Sequence, residues 1–491
     1  MVTVLIANFP WECGGVRAGS RWPAKYGRAA SKRTRYMPFP FYLAYSAALL
    51  EKIPDVSVHV LDCLASDIGL EDFYKKCEKI QPDLIVAETS AVTFYNDMEI
   101  CKNLKTINNP KIVLCGPHAT VLYNDILSTY PQVDAIALGE YELSVFELLK
   151  SWNTGSMYKV KGFAWRKNGR VYSNPRPLLQ DLDLLPMPAW HLFEMDLYNE
   201  PFCEGYPNFQ LLSSRGCLFK CVFCLYPQTM EFGTFRAHSP QRTVEEMKFV
   251  IEKYHPKELY FDDSTFTQKK DRVVELCNLI KKEGLEVNWS CMTHAGTVTK
   301  ELIFQMADAG CVAIKFGIES GNQEIIRMIR KGLSLEHAKK VIDWCREAGI
   351  RTHATYMFGL PGDTKKTVEE TLKFALALGT DSAQFSIATP YPGTEFYRMA
   401  KENGWLIEQD WSRYDGNNCA VISYPGLTAR DLENFLRYAQ RRWIIHMMTK
   451  PRKVIDTLRG AHETEGLRGT LGTIARGVSH VIKSIKQKKW A

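Results

Sequence analysis

The chain has 491 residues, 45% hydrophobic and 24% charged, with a formal net charge of +7. That is enough polymer for two or three domains with separate cores, and it excludes a disordered chain, a collagen and a small disulfide scaffold. The charge is uneven: residues 428–491 hold 14 Lys/Arg against 5 Asp/Glu, a local +9, whereas the rest carries 48 against 50. An anionic surface is therefore the expected partner of the tail, and nucleic acid is not an expected partner of the core. No apolar run approaches the roughly 18–20 residues of a membrane span. The best, Phe39 to Leu50, has 12 residues and reads as a core helix or a surface-seeking one. Met1-Val2-Thr3-Val4-Leu5-Ile6 reads as a buried first strand with no basic leader, so the expected location is cytoplasmic. Of the 14 cysteines, Cys63, Cys77, Cys101, Cys115, Cys277, Cys311 and Cys345 stand alone in apolar stretches and read as reduced core thiols.

Residues 1–155 alternate apolar runs (Val4–Asn8, Val56–Asp62, Asp83–Ala87, Lys111–Cys115, Asp134–Leu138) with helical periodicity, as in Met98–Leu104 and Tyr141–Trp152. Continuous apolar strands separated by helices predict a doubly wound parallel sheet, which takes ligands beyond the carboxyl ends of its strands. A long connection, Phe9 to Pro38, follows the first strand and carries Gly14, Gly15, Arg17, Gly19, Arg21 and Trp22. An insert there is more often functional than decorative. A hairpin is expected around Asn168-Gly169, followed by a stretch with Pro175, Pro177, Pro186 and Pro188, so residues 156–205 are expected to link two domains.

From 206 to 405 the alternation resumes. Strands are expected at Phe209–Ser213, Glu258–Asp262, Glu286–Cys291, Cys311–Gly317, Thr352–Phe358 and Ala383–Ala388, with helices between them. Six such units predict a partial (β/α)6 barrel with its active site at the strand carboxyl ends. Residues 406–491 are expected to be helical and basic. Arg437, Arg441, Arg442, Lys450, Arg452 and Lys453 intermix with Phe435, Leu436, Trp443, Ile444, Ile445, Met447 and Met448. That pattern suits an interfacial helix and equally a helix packed on the barrel with a solvated basic face.

Cys217-x3-Cys221-x2-Cys224 follows the first strand of the second domain. Soft thiolate sets favour zinc or iron–sulfur centres. A closed zinc site wants four ligands, and no fourth cysteine or histidine follows nearby; Cys203 lies upstream across a predicted strand. Three ligands suit a [4Fe–4S] cluster with one iron left open.

The segment Cys217-Leu218-Phe219-Lys220-Cys221-Val222-Phe223-Cys224 resembles the radical S-adenosylmethionine (SAM) superfamily signature. The resemblance implies that the open iron chelates the amino and carboxylate groups of SAM, and that one electron from a donor such as ferredoxin or flavodoxin cleaves it to a 5′-deoxyadenosyl radical. Phe223 matches the position near the adenine. Tyr260-Phe261-Asp262-Asp263 matches the strand end that holds the SAM amino group, although Asp263 could equally be an exposed helix cap. Gly317-Ile318-Glu319-Ser320-Gly321 resembles the ribose- and SAM-contacting segment. Gly359-Leu360-Pro361-Gly362-Asp363 resembles the next turn, and for its Pro-Gly pair a plain turn is favoured.

The first domain resembles the cobalamin-binding domain of the cobalamin-dependent radical SAM class. The matching segments are Thr89-Ser90, Gly116-Pro117-His118 and Gly139-Glu140-Tyr141-Glu142, each after a predicted strand. The Asp-x-His-x-x-Gly motif of other cobalamin proteins is absent, and His118 stands in the wrong place for it, so cobalamin is expected to bind without a protein histidine on its lower face. A looser similarity of Arg17–Trp22 and Pro38–Tyr45 points to members acting on porphyrins and on hopanoid or archaeal lipids. The expected function is methyl transfer to an unactivated carbon of a hydrophobic substrate. Radical carbon–carbon bond formation, cyclisation or rearrangement comes next, and a non-catalytic cluster- and cobalamin-bearing sensor is third.

Overall fold

The computed structural model describes residues 1–11, 32–152, 159–174 and 178–449, together with the backbone of two short strands at 16–17 and 25–26. The side chains of Arg17, Arg21, Trp22 and the nearby glycines, and everything from Lys450 onward, lie outside the described residues.

The first sheet has seven strands in the order β4-β1-β5-β6-β7-β8-β9. β1 (Val2–Asn8), β4 (Val56–Asp62), β5 (Leu84–Glu88), β6 (Lys111–Cys115) and β7 (Ala135–Ala137) run parallel, as their unbroken apolar runs require. β2 (Val16–Arg17) and β3 (Lys25–Tyr26) form a separate antiparallel ribbon in the long connection. β8 (Phe163–Lys167) and β9 (Arg170–Ser173) are the hairpin turned by Asn168 and Gly169, both at positive φ, and β8 adds antiparallel to β7. The hairpin therefore extends the first sheet.

The helix Phe41–Leu50 is buried along its whole length. A helix apolar on all sides has to be enclosed, and this one lies between the domains. Tyr42, Leu43, Ala47 and Leu50 pack into the first sheet, while Tyr45 and Leu49 join the core of the second domain. Gln210 fastens the approach to this helix by accepting from the Phe39 N–H at 2.8 Å and donating to the Met37 carbonyl at 3.0 Å.

The second sheet is all parallel, in the order β10-β13-β14-β15-β16-β17. Its strands are β10 (Asn208–Leu211), β13 (Glu258–Phe261), β14 (Asn288–Thr293), β15 (Cys311–Glu319), β16 (Arg351–Phe358) and β17 (Ser382–Ile387). Between β10 and β13, β11 (Ser214–Gly216) pairs antiparallel with β12 (Phe235–Ala237), and the cysteine segment is the loop between them. The strands alternate. Ile314, Phe316, Ala354, Tyr356, Phe358 and Phe385 are buried on the helix side, whereas Lys315, His353, Thr355, Met357, Gln384 and Ser386 keep exposure on the inner side. The inner face is therefore an open lumen.

Residues 406–428 are irregular, with isolated bridges between Leu406 and Ile422 and between Tyr424 and Leu427. The helix Ala429–Met448 then packs on β16 and β17 through Leu432, Phe435, Leu436, Ala439 and Trp443. The Phe435 ring meets Phe358 edge-on at 4.8 Å, and Trp443 lies 6.0 Å from Phe385. Of the apolar residues that suited an interface, Phe435, Leu436 and Trp443 are thus covered by the barrel, whereas Ile444, Ile445 and Met447 are partly covered and Met448 is exposed. None of the helices among the described residues is long and apolar enough to cross a membrane. Phe435→Ala should lower unfolding stability by about 3–5 kcal/mol, the range for truncating a buried ring. A change under about 1 kcal/mol in chemical denaturation would mean that the helix is not anchored there.

Candidate functional site

The cysteine loop sits across the carboxyl ends of the second sheet. Thr265, just beyond β13, donates to Cys217 Sγ at 3.2 Å, and Gln268 accepts from the Leu218 N–H at 3.3 Å. The Val222 N–H donates to the Ile329 carbonyl at 3.1 Å, and Gln228 donates to the carbonyls of Cys221, Val222 and Cys224. Phe223 is partly buried against the core. Burial pushes the Cys221 thiol up to about 11 and the Cys224 thiol well above its ordinary value, and the neighbouring cysteines push both the same way. Three thiolates so placed need a cationic centre to hold them ionised.

Cys203 is not a fourth ligand. It lies at the closed end of the lumen, 3.3 Å from Ser290 Oγ. Among the described residues no three His, Cys, Asp or Glu side chains converge as one ion would need. A cubane holds its ligands on separate corners, so three spaced thiols with no fourth fit a [4Fe–4S] cluster with an open iron and do not fit a closed zinc site.

Glu319 ends β15 at φ +71, beside an irregularity in the register with β16. A non-glycine residue there is strained, and such strain concentrates at functional positions. The turn carries its carboxylate back to Lys331 Nζ at 3.0 Å, with both groups buried. Burial alone would lower Lys331, but Glu319 and the Cys221 thiol outweigh it and hold its ammonium above the ordinary value. Gly317 makes the room: a Cβ there would stand 2.3 Å from Glu319 Oε1 and 3.1 Å from Lys331 Nζ. Lys331 was not legible in the sequence, where it ends a charged stretch resembling a solvated face.

The remaining strand-end residues are buried or engaged within the protein. Asp262 is buried at the end of β13. Asp263 is also buried, so the exposed-cap reading does not hold: it accepts from Ser213 N–H, Ser213 Oγ and Ser214 Oγ at 2.7, 2.7 and 2.6 Å. It fixes the turn that leads to the cysteines. Ser320 is fully buried and bonds Thr371 Oγ1 at 3.1 Å and the Asn322 N–H at 3.1 Å. Asp363 accepts from the Gly359 and Leu360 N–H groups, which makes that segment a turn.

In the first domain, the Thr89 hydroxyl donates to buried Asp97 at 2.7 Å, and Ser90 forms a capping box with Thr93. Gly116 and Gly139 adopt positive φ, which brings backbone to the sheet end without a side chain in the way. Ser90, Ala91, Pro117 and His118 line a crevice completed by Leu225, Tyr391 and Pro392 from the barrel. His118 is 5% exposed, lies edge-on to Phe94 and Trp411, and has a buried Nε2 with no partner. Burial pulls its imidazole down to about 3, so it is neutral. An orphaned polar atom where a doubly wound domain takes its ligand suits a cofactor that brings a hydrogen-bonding group to it.

Glu140 faces elsewhere. It pairs with Arg236, whose Nη1 lies 2.8 Å away, and with Arg215 at 3.3 Å, while Glu142 takes a short bond from Arg215. All four side chains are buried, and the Arg215 guanidinium lies over Tyr42 at 4.6 Å and Tyr45 at 5.1 Å. The two carboxylates come from the first domain and the two guanidiniums from the β11–β12 ribbon.

A profile of the radical SAM superfamily matches residues 211–375, and one of the B12 binding domain matches residues 32–149. The chain is 33% identical over 404 residues to an uncharacterized methyltransferase of Pyrococcus horikoshii, covering 82% of this chain and 86% of that one. The chain belongs to the radical SAM superfamily, among its B12-binding members. It is also 26% identical over 455 residues to the anaerobic magnesium-protoporphyrin IX monomethyl ester cyclase of Cereibacter sphaeroides, covering 89% of this chain and 70% of that one. The cobalamin-dependent SAM radical enzyme OxsB shares the fold at a TM-score of 0.71 and 15% identity, over 99% of this chain and 72% of that one. The protein is therefore a cobalamin-dependent radical SAM enzyme, with a [4Fe–4S] cluster, SAM and cobalamin as its cofactors.

Glu140→Ala leaves two buried guanidiniums short of a partner and should cost about 3–5 kcal/mol. Glu140→Gln should cost less. Equal, negligible losses in thermal unfolding of both variants would show that the network does not hold the domains.

Proposed function

We propose that the enzyme transfers a methyl group to an unactivated carbon of a neutral, hydrophobic, lipid-like substrate held in the lumen between the two domains. The observation that carries this reading is the charge of the lumen wall. Among the described residues, each cation near it is already matched: Lys315 with Glu200 at 2.9 Å, Lys331 with Glu319 at 3.0 Å, and Arg351 with Glu204 at 3.2 Å. The remaining inner positions include Met292, Thr355, Met357, Gln384 and Ser386. Such a wall offers apolar area and neutral hydrogen bonds, and no free charge for a phosphate or carboxylate.

Cys217, Cys221 and Cys224 would hold the cluster, and the bound cofactors supply the radical and the methyl carrier. Glu319 and Lys331 present a carboxylate and an ammonium suited to the amino-acid end of SAM, with Asp262 as a further carboxylate and Phe223 beside the adenine. The crevice at Ser90, Gly116, His118 and Gly139 would take the cobalamin, with Thr89 bracing its turn. Asp263, Ser320 and Glu140 serve as positioning residues, since their polar atoms are engaged within the protein.

Anaerobic enzyme with reconstituted cluster, SAM, cobalamin and dithionite should form 5′-deoxyadenosine and S-adenosylhomocysteine with a neutral lipid extract, and yield a lipid one methylene heavier by mass spectrometry. Cys221→Ala should abolish both nucleosides while cobalamin absorbance is retained. Turnover of an acidic, water-soluble substrate in place of the extract would sink the lipid reading. 5′-Deoxyadenosine without S-adenosylhomocysteine would favour cyclisation or carbon–carbon coupling, the reading that the magnesium-protoporphyrin cyclase relative supports.

A lipid substrate also gives the basic tail a role, namely docking on an anionic bilayer. Removing residues 450–491 should weaken salt-sensitive cosedimentation with phosphatidylglycerol vesicles. Undiminished binding would remove the tail from the proposal.

A further inference from the structure

Reductive SAM cleavage needs one electron from outside the chain, and the outer surface of the cysteine loop has a distinct chemistry. Leu218, next to the half-buried Cys217, is 54% exposed, an unusual setting for a leucine inside a cofactor loop. Its neighbours can be traced by contact. On one side Gln268 bonds the Leu218 backbone, and Lys269 follows it, exposed, with its ammonium over the Phe235 ring at 5.9 Å. On the other side Lys220 is exposed, and Val222 is tied to Ile329, whose exposed chain neighbours are Met328, lying against the Gly362 turn, and Arg330. Arg330 is matched by Glu395, with both bonds at 2.8 Å. Among the described residues, Lys220 and Lys269 have no carboxylate partner. Outside residues 428–491 the chain carries 48 basic against 50 acidic side chains, so this positive rim is local and does not reflect general basicity.

We propose that the outer face of the cysteine loop, Leu218 rimmed by Lys220 and Lys269, is the docking surface for a small acidic one-electron carrier protein. The inference rests on the assignment of Cys217, Cys221 and Cys224 to a redox-active cluster. One electron passes from the carrier's reduced flavin or iron–sulfur centre to the oxidised cluster, and the carrier departs oxidised by one electron. Electron-transfer encounters use small interfaces, so an exposed apolar contact suffices at the centre, and the lysines act on encounter rate. The positive tail attracts the same carrier at long range, so the comparison is made in the full chain.

The test is stopped-flow reduction of the reconstituted cluster by an acidic flavodoxin hydroquinone and, separately, by an acidic ferredoxin, for the unaltered enzyme and for Lys220→Glu/Lys269→Glu. Dithionite serves as the reductant that needs no docking. The expected result is a loss of about 10-fold or more in the bimolecular rate with both carriers at low ionic strength. The loss should shrink as salt is raised, and the dithionite-driven rate and the cluster's electron paramagnetic resonance spectrum should not change. Carrier-driven rates within about twofold of the unaltered enzyme would overturn the proposal. An equal loss with dithionite would also overturn it, because the substitutions would then act on the cluster itself. If the unaltered enzyme is reduced by dithionite yet forms no 5′-deoxyadenosine from SAM, the functional reading fails, and the carrier rates still decide the docking surface.

Discussion

The arrangement of this enzyme depends on four buried charges. Glu140 and Glu142 follow the last parallel strand of the first sheet, and Arg215 and Arg236 stand side by side on the β11–β12 ribbon. The ribbon leads through Gly216 into Cys217, so a single residue separates the anchor of the second domain, Arg215, from the start of the cluster loop. Gly216 permits no side chain, because a Cβ would stand 1.9 Å from the Thr234 carbonyl oxygen. Buried ion pairs add little net stability over a well-packed apolar contact, but they tolerate little sliding. Stacking of the Arg215 guanidinium on Tyr42 and Tyr45 brings the enclosed helix into the same constraint. The height of the cysteine loop above the first sheet is thus set by side chains of both domains.

Much of the fold was legible because it rests on local patterns. Unbroken apolar runs announced the parallel strands, and Asn168-Gly169 announced a hairpin. The helix Phe41–Leu50 was only half legible: its composition shows that it avoids water, and whether protein or lipid covers it depends on residues far away. The C-terminal helix posed the same ambiguity, and Phe358 and Phe385 resolve it for residues up to Trp443.

The site was less legible for a definite reason. Acidic and hydroxyl residues at strand ends are as apt to cap a turn as to meet a ligand, and the sequence does not name the partner. Ser213 and Ser214 take Asp263, Thr371 takes Ser320, and Arg215, 75 residues away, takes Glu140. Conversely, Lys331 reads as one more surface charge until Gly317 and the left-handed turn at Glu319 are seen to fold a carboxylate over it.

Charge matching around the lumen connects these points to chemistry. A radical that abstracts hydrogen from carbon has to be shielded from water, and a dry site raises the cost of any unpaired ion. The barrel meets both demands by pairing its cations internally: Lys315 is held by Glu200 and flanked by the Phe202 and Tyr260 rings, and Lys331 is held by Glu319. Two matched pairs leave the inner wall electrically quiet between the closed end and the cluster. On the reading proposed above, the substrate is held there by apolar area, and the zwitterionic end of SAM, which brings its own matched charges, meets the Glu319–Lys331 pair without leaving a buried ion alone.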